Sequence, residues 1–190
     1  MKTIPNKGPT RILGVDPGTN ILGFGIIELR NQEAHLIDLN VLHLKSITSQ
    51  QDKLKEIFLS IQELIEKYQP FAMSIEAPFF GKNAQSMHKL GRAQGVAIAA
   101  AMVMGLEIHE FSPKTIKKSV TGNGNASKEQ VAGMLASLLN ITIQTDYFDA
   151  TDALAAALCL AFQVSKGKKE KSSGNTGWKK FIQQHPERLI

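Results

Sequence analysis

Four carboxylates in this chain stand beside strongly apolar sequence. Asp16 closes the run Ile12-Leu-Gly-Val, and Glu76 closes Phe71-Ala-Met-Ser-Ile. Asp149 and Asp152 open a long Ala/Leu-rich stretch, and their spacing puts them on one face of a helix. Taken singly, most have a plain explanation. Asp16-Pro-Gly is ordinary turn chemistry, and acids in a first helical turn complement the helix dipole. Glu76 fits such explanations less well, because a carboxylate at the end of an apolar central strand is costly. Taken together, they predict one cleft that gathers acids. Uncompensated buried charge is unfavourable, and hard divalent cations, which take oxygen ligands, are the usual remedy. The chemistry expected of such a cleft is metal-dependent phosphoryl transfer.

The charge pattern points to a polyanionic substrate. Residues 1–165 hold fifteen Lys/Arg and fifteen Asp/Glu, whereas residues 166–190 hold seven basic and two acidic side chains, the whole of the net +5. Within the balanced part, residues 81–131 carry seven basic and three acidic groups, and residues 132–165 carry only Asp146, Asp149 and Asp152. An acidic centre with basic surroundings suits nucleic acid whose phosphate must meet a metal. With 190 residues, 43% of them hydrophobic, the chain can bury a sizeable core in one domain. No uninterrupted apolar run reaches the roughly 18 residues of a membrane span, so no membrane association is expected. Met1–Thr10 has lysines but no apolar stretch, which argues against a secretory signal. Cys159, the single cysteine, lies in an Ala/Leu run and reads as a core residue in a reducing, cytoplasmic compartment. The histidines fall on separate elements and form no ligand set.

The elements that must position the acids follow from periodicity. Arg11–Val15 and Ile21–Leu29 read as strands joined by a turn at Asp16–Asn20, and Ala34–Leu44 as a third, giving an antiparallel meander. Leu54, Ile57, Phe58, Ile61, Leu64 and Ile65 form a helical stripe within Ser49–Tyr68, which Pro70 stops. Phe71–Glu76 is then a buried strand reached by a helical crossover. Asn83–Met104 is a second helix whose small residues from Gly91 to Ala101 permit close approach of another backbone. Leu106–Phe111 is a fifth strand. Ser112-Pro113 starts a short helix, and Gly122-Asn-Gly-Asn breaks it. Ser127 with Gln130 makes a capping box for the next helix, to Leu139. Asp146 caps a last helix, Tyr147–Val164, and Lys166–Thr176 reads as a flexible tail. The order βββαβαβααα predicts an α/β domain whose mixed five-stranded sheet combines an antiparallel meander with parallel strands and is flanked by helices.

Four segments carry a family resemblance. They are Ile12-Leu-Gly-Val-Asp-Pro-Gly-Thr-Asn-Ile-Leu-Gly-Phe-Gly-Ile-Ile; Ser74-Ile-Glu-Ala-Pro-Phe with Lys82-Asn-Ala and Lys89-Leu-Gly-Arg-Ala-Gln-Gly-Val-Ala; Val120-Thr-Gly-Asn-Gly with Lys128; and Asp149-Ala-Thr-Asp-Ala-Leu-Ala. In this order, over residues 11–162, they resemble the motifs of the RuvC-type Holliday junction resolvases. The resemblance implies an RNase H-like fold over residues 1–165, with residues 166–190 as a basic C-terminal tail. It also implies a homodimeric, Mg²⁺-dependent endonuclease acting in homologous recombination and DNA repair. Such an enzyme resolves four-way DNA junctions by paired symmetric nicks that leave 5′-phosphates.

By motif position, the resemblance makes Asp16, Glu76, Asp149 and Asp152 the catalytic metal ligands, for a pair of Mg²⁺ ions that Mn²⁺ can replace. Lys117 and Lys128 match basic residues beside the scissile phosphate, Lys128 with a catalytic role. Phe79 matches an aromatic that stacks on unpaired bases near the crossover. Lys82, Lys89 and Arg92 are implied contacts to backbone phosphates. A branch-migration helicase complex is the implied partner. Ala77-Pro78 departs from the family pattern and stiffens the path from Glu76 to Phe79. The rivals are another RNase H-like nuclease acting on hybrids or flaps, and a non-catalytic junction-binding module whose acids are caps and turns. Asp16-x-Gly-Thr-x-x-x-Gly also matches the phosphate loop of actin-like ATPases, but those need two duplicated domains.

Overall fold

The computed structural model describes residues 10–31, 33–77, 83–143 and 148–173, with the side chains of the last helix described through residue 165. Five strands form one sheet: β1 (Thr10–Asp16), β2 (Ile21–Arg30), β3 (Glu33–His43), β4 (Ala72–Glu76) and β5 (Glu107–Phe111). Their order is β3-β2-β1-β4-β5. The first three make the expected antiparallel meander. β4 joins β1 in parallel, and β5 joins β4 in parallel. The sheet is therefore mixed, as the order of elements predicts, and the strand ends fall within one residue of the sequence reading.

Among the described residues, five helices flank the sheet: α1 (Gln50–Tyr68), α2 (Ala84–Val103), α3 (Pro113–Thr121), α4 (Lys128–Leu139) and α5 (Phe148–Ser173). The capping signals work as read. The Ser112 side chain accepts from the Thr115 N–H with proline just inside the helix. Ser127 and Gln130 close a reciprocal capping box. α1 ends with Gln69 in the left-handed region (φ 49°), directly before Pro70.

α5 differs from expectation. It continues to Ser173, well into the segment read as a flexible tail. Composition suggested disorder there, but lysine and glutamate are good helix formers and no proline interrupts them; Gly174 follows the helical end. The cap expected of Asp146 lies outside the described residues. Phe148–Ser165 is also long and apolar enough to cross a membrane by length and composition alone, with 61% of it buried in the fold. Asp149 and Asp152 interrupt the stretch, so it holds no continuous apolar run of that length.

The two faces of the sheet carry separate cores. Leu13, Val15, Met73 and Ile75 pack with Ile57 and Ile61 of α1 and with Ala93 and Ala97 of α2. Ile12 and Ala72 pack instead with Ile116 of α3, Leu135 of α4 and the Leu154–Ala161 stretch of α5. Alternation along a strand explains the division: even-numbered residues of β1 and β4 face α5, and odd-numbered ones face α1 and α2.

Candidate active site

That alternation decides where Asp16 and Glu76 go. β1 and β4 are parallel neighbours with Gly14 opposite Ser74 and Val15 opposite Ile75. The next step along both strands places Asp16 beside Glu76, both on the α5 side and both partly buried. α5 begins at this end of the sheet, and its first turns carry Asp149 and Asp152. Two adjacent strand ends and one helix start thus deliver four carboxylates to one place.

Glycine makes the approach of α5 possible. A Cβ on Gly14 of β1 would lie 2.0 Å from the Ala153 carbonyl oxygen, and one on Gly23 of β2 would lie 2.0 Å from that of Asp149. Gly23 is the register partner of Asp16. The helix backbone therefore rests directly on the strands that carry the first acid. Ser74, fully buried on β4, donates its hydroxyl to the Ala156 carbonyl at 2.6 Å and ties the helix to the strand that carries the second. The sequence carries this signal as small residues at Gly14, Gly23, Gly25 and Ser74, inside segments whose apolar neighbours mark them only as strands.

The acids interact strongly. Burial, then the negative charges of Glu76, Asp152 and Asp149, push Asp16 up from 3.8 to about 7, with Lys128 acting in the opposite sense. Burial and the charge of Asp152 raise Glu76 as well, opposed by Lys128 and Lys117. Lys128 Nζ donates to Asp152 Oδ2 at 2.7 Å and lies 5.8 Å from the centre of the Phe148 ring. Burial disfavours its charge, but the Asp152 hydrogen bond and the surrounding acids hold it above the ordinary lysine range.

Asp16 and Glu76, crowded carboxylates that resist ionisation, mark a donor set short of positive charge, and hard oxygen ligands match a divalent cation such as Mg²⁺. The residues fit such an ion in chemistry. Among the described residues, no three acids or imidazoles already stand as a finished ligand cluster; the coupling acts through space, with the Lys128 ammonium as partial counter-ion.

A model of the crossover junction endodeoxyribonuclease RuvC matches residues 12–160. The chain belongs to the RuvC family. A RuvC of Cytophaga hutchinsonii is 53% identical over 188 residues, covering 99% of this chain and 92% of that one. The Christiangramia forsetii RuvC is 52% identical over 96% of this chain and 94% of that one. Among solved structures, Thermus thermophilus RuvC in complex with a Holliday junction substrate superposes with a TM-score of 0.77 at 28% identity, covering 83% of this chain and 96% of that one. The RNase H-like architecture is thereby confirmed.

The other RuvC motif residues are distributed unevenly. Lys117 lies near enough to favour ionised Glu76, but its Nζ is engaged with the Ala126 carbonyl at 2.8 Å, holding the α3–α4 connection. Lys89 and Arg92 lie exposed on α2, on the opposite side of the sheet, and are not gathered into the acid cluster. Phe79, Lys82 and the Ala77-Pro78 step fall wholly or partly outside the described residues. Sequence reasoning missed two participants: Phe148 beneath Lys128, and Gln94, whose amide reaches the backbone of Glu76.

Proposed function

We propose that this chain is a divalent-metal-dependent crossover junction endodeoxyribonuclease that resolves four-way DNA junctions by paired nicks, in homologous recombination and repair. The observation that carries the reading is the convergence of Asp16, Glu76, Asp149 and Asp152, with Asp16 pushed to about 7 by burial and its acidic neighbours. Membership of the RuvC family and the likeness to a relative solved with a Holliday junction support the choice of substrate.

Asp16, Glu76, Asp149 and Asp152 would hold Mg²⁺, or Mn²⁺ in its place, which when bound would supply Lewis-acid activation of water and of the leaving oxygen. The chain's own residues do the rest. The carboxylates would fix where the cation stands against the scissile phosphate, a placement that suits an in-line displacement leaving a 5′-phosphate and a 3′-hydroxyl. Lys128, released from Asp152, places its ammonium against charge growing on the phosphate. Lys117 offsets the negative charge of Glu76 and stiffens the α3–α4 connection.

Paired symmetric nicks call for two sites related by a two-fold axis, which a homodimer provides. α2 offers the surface: Gly91, Gly95, Ala99, Met102 and Val103 are exposed, and nothing lies within 4 Å of a Cβ placed on either glycine. A branch-migration helicase complex is the proposed partner in the cytoplasm, supplying junctions to be cut. The test is a labelled four-way junction incubated with Mg²⁺ or Mn²⁺ beside RNA–DNA hybrid and flap substrates. Symmetric nicks in the junction are expected. Preferential cleavage of the hybrid or flap, or no nicks with either metal, overturns the reading.

A further inference from the structure

Gln94 is a buried amide in α2, 4% exposed, set among the buried alanines Ala93 and Ala97. A buried amide without partners is costly, so its hydrogen bonds show what holds it. Its Nε2 donates to the Glu76 carbonyl oxygen at 3.3 Å and to Glu110 Oε2 at 3.1 Å. A carbonyl and a carboxylate only accept, so the amino end of the side chain must face them. Glu110 lies opposite Ile75 in the β4–β5 register, on the α2 side of the sheet. The amide therefore spans two neighbouring strands from the face opposite the acid cluster.

The position matters because β4 ends there. The final ladder bond runs from the Ala77 N–H to the Phe111 carbonyl at 2.8 Å. The Glu76 carbonyl takes its hydrogen bond from Gln94. Fixing that peptide group fixes the plane from which the Glu76 side chain departs. α2 also carries exposed Lys89 and Arg92.

We propose that Gln94 is a positioning residue that sets the direction in which Glu76 enters the acid cluster. The inference deepens the nuclease reading and rests on it for the role of Glu76.

The test compares Gln94→Met, which keeps length but removes the donor, with Glu110→Gln, Glu110→Ala and the double variant Gln94→Met/Glu110→Ala. Two quantities are measured: the Mn²⁺ dissociation constant of the DNA-free protein by calorimetry, and the single-turnover cleavage rate of a junction whose affinity is measured separately in Ca²⁺. Removing a group that orients a metal ligand commonly costs tenfold or more in affinity or rate, so Gln94→Met is expected to weaken Mn²⁺ binding and slow cleavage by about tenfold. Junction affinity should stay near the parent's. Glu110→Gln keeps an acceptor and should stay close to the parent, whereas Glu110→Ala should lose part of both quantities. The double variant should be no worse than Gln94→Met alone, because both substitutions break the same link.

Parental Mn²⁺ affinity and cleavage in Gln94→Met overturns the proposal, as does simple addition of the two losses. If Gln94→Met loses its melting transition, the Glu110 variants decide: equal behaviour of Glu110→Gln and Glu110→Ala overturns it. A parent that binds Mn²⁺ but cuts no junction sinks the nuclease reading, while the Mn²⁺ comparison still decides the role of Gln94.

Discussion

The carbonyl oxygen of Asp149 lies 2.0 Å from where a Cβ on Gly23 would be. No side chain fits between them, so the first turn of α5 can reach Asp16 only because position 23 has none. One backbone contact thereby sets the spacing between the acid on β1 and the acids on α5.

Gly23→Ala is expected to push the start of α5 away from the sheet. Forced overpacking of this kind typically costs about 1–3 kcal/mol. Cleavage should fall further than stability, because Asp149 and Asp152 move with the helix. Gly133→Ala on α4, where a Cβ meets nothing within 4 Å, is the matched control and should melt no lower than the parent. Thermal melts and nicking rates of both variants check the prediction.

Asp16→Asn removes one charge from the crowded cluster while keeping the side-chain shape. Junction binding in Ca²⁺ should persist while cutting in Mg²⁺ disappears. In the absence of metal, the variant should also melt above the parent at mildly alkaline pH, since a like charge has gone. Loss of binding and cutting together in a folded variant would mark Asp16 as a substrate-binding group instead.

Asp16 is raised from 3.8 to about 7, by burial first and then by Glu76, Asp152 and Asp149. A raised carboxyl favours the fold while it is protonated, so its contribution is complete below 3.8 and lost as pH rises through about 7. Metal-free protein should therefore lose melting temperature between about pH 5.5 and about pH 8, and Mg²⁺ should restore more of it at the higher value. Melts at both pH values, with and without Mg²⁺, provide the check. An equal Mg²⁺ effect at the two values would refute the link between the acids and the cation.

Ala99→Glu places a charge on the exposed small-residue face of α2. If two copies meet there, two carboxylates are brought together and the dimer should dissociate. Light scattering across a concentration series measures it. A variant that remains dimeric places the interface elsewhere.

Much of this fold was legible in the sequence because its signals are local. The stripe from Leu54 to Ile65, Pro70, the Ser127–Gln130 box and the short links of the meander each act within a few residues. The four acids stand out for the same reason, Asp16 and Glu76 at the ends of apolar runs and Asp149 and Asp152 at the start of one. What escaped was contact across the fold. Nothing near Gly23 in the chain says that a helix starting at Phe148 lies against it, and Gln94 reads locally as one polar residue in an alanine-rich helix. Its partners, Glu76 and Glu110, lie 18 and 16 residues away on separate strands. The extent of α5 was misjudged because a lysine-rich composition suits both a solvated coil and an exposed helical turn.

Strand alternation carries a consequence for how the chain avoids folding wrongly. If β1 slid by a single residue against β2, every side chain on it would change faces. Asp16 would then point among Ile57, Ile61 and Ala97, away from Lys128, and Leu13 and Val15 would collide with the backbone of α5. The acid cluster thus also proofreads strand pairing, and a one-residue deletion before Asp16 should yield insoluble protein instead of a folded one.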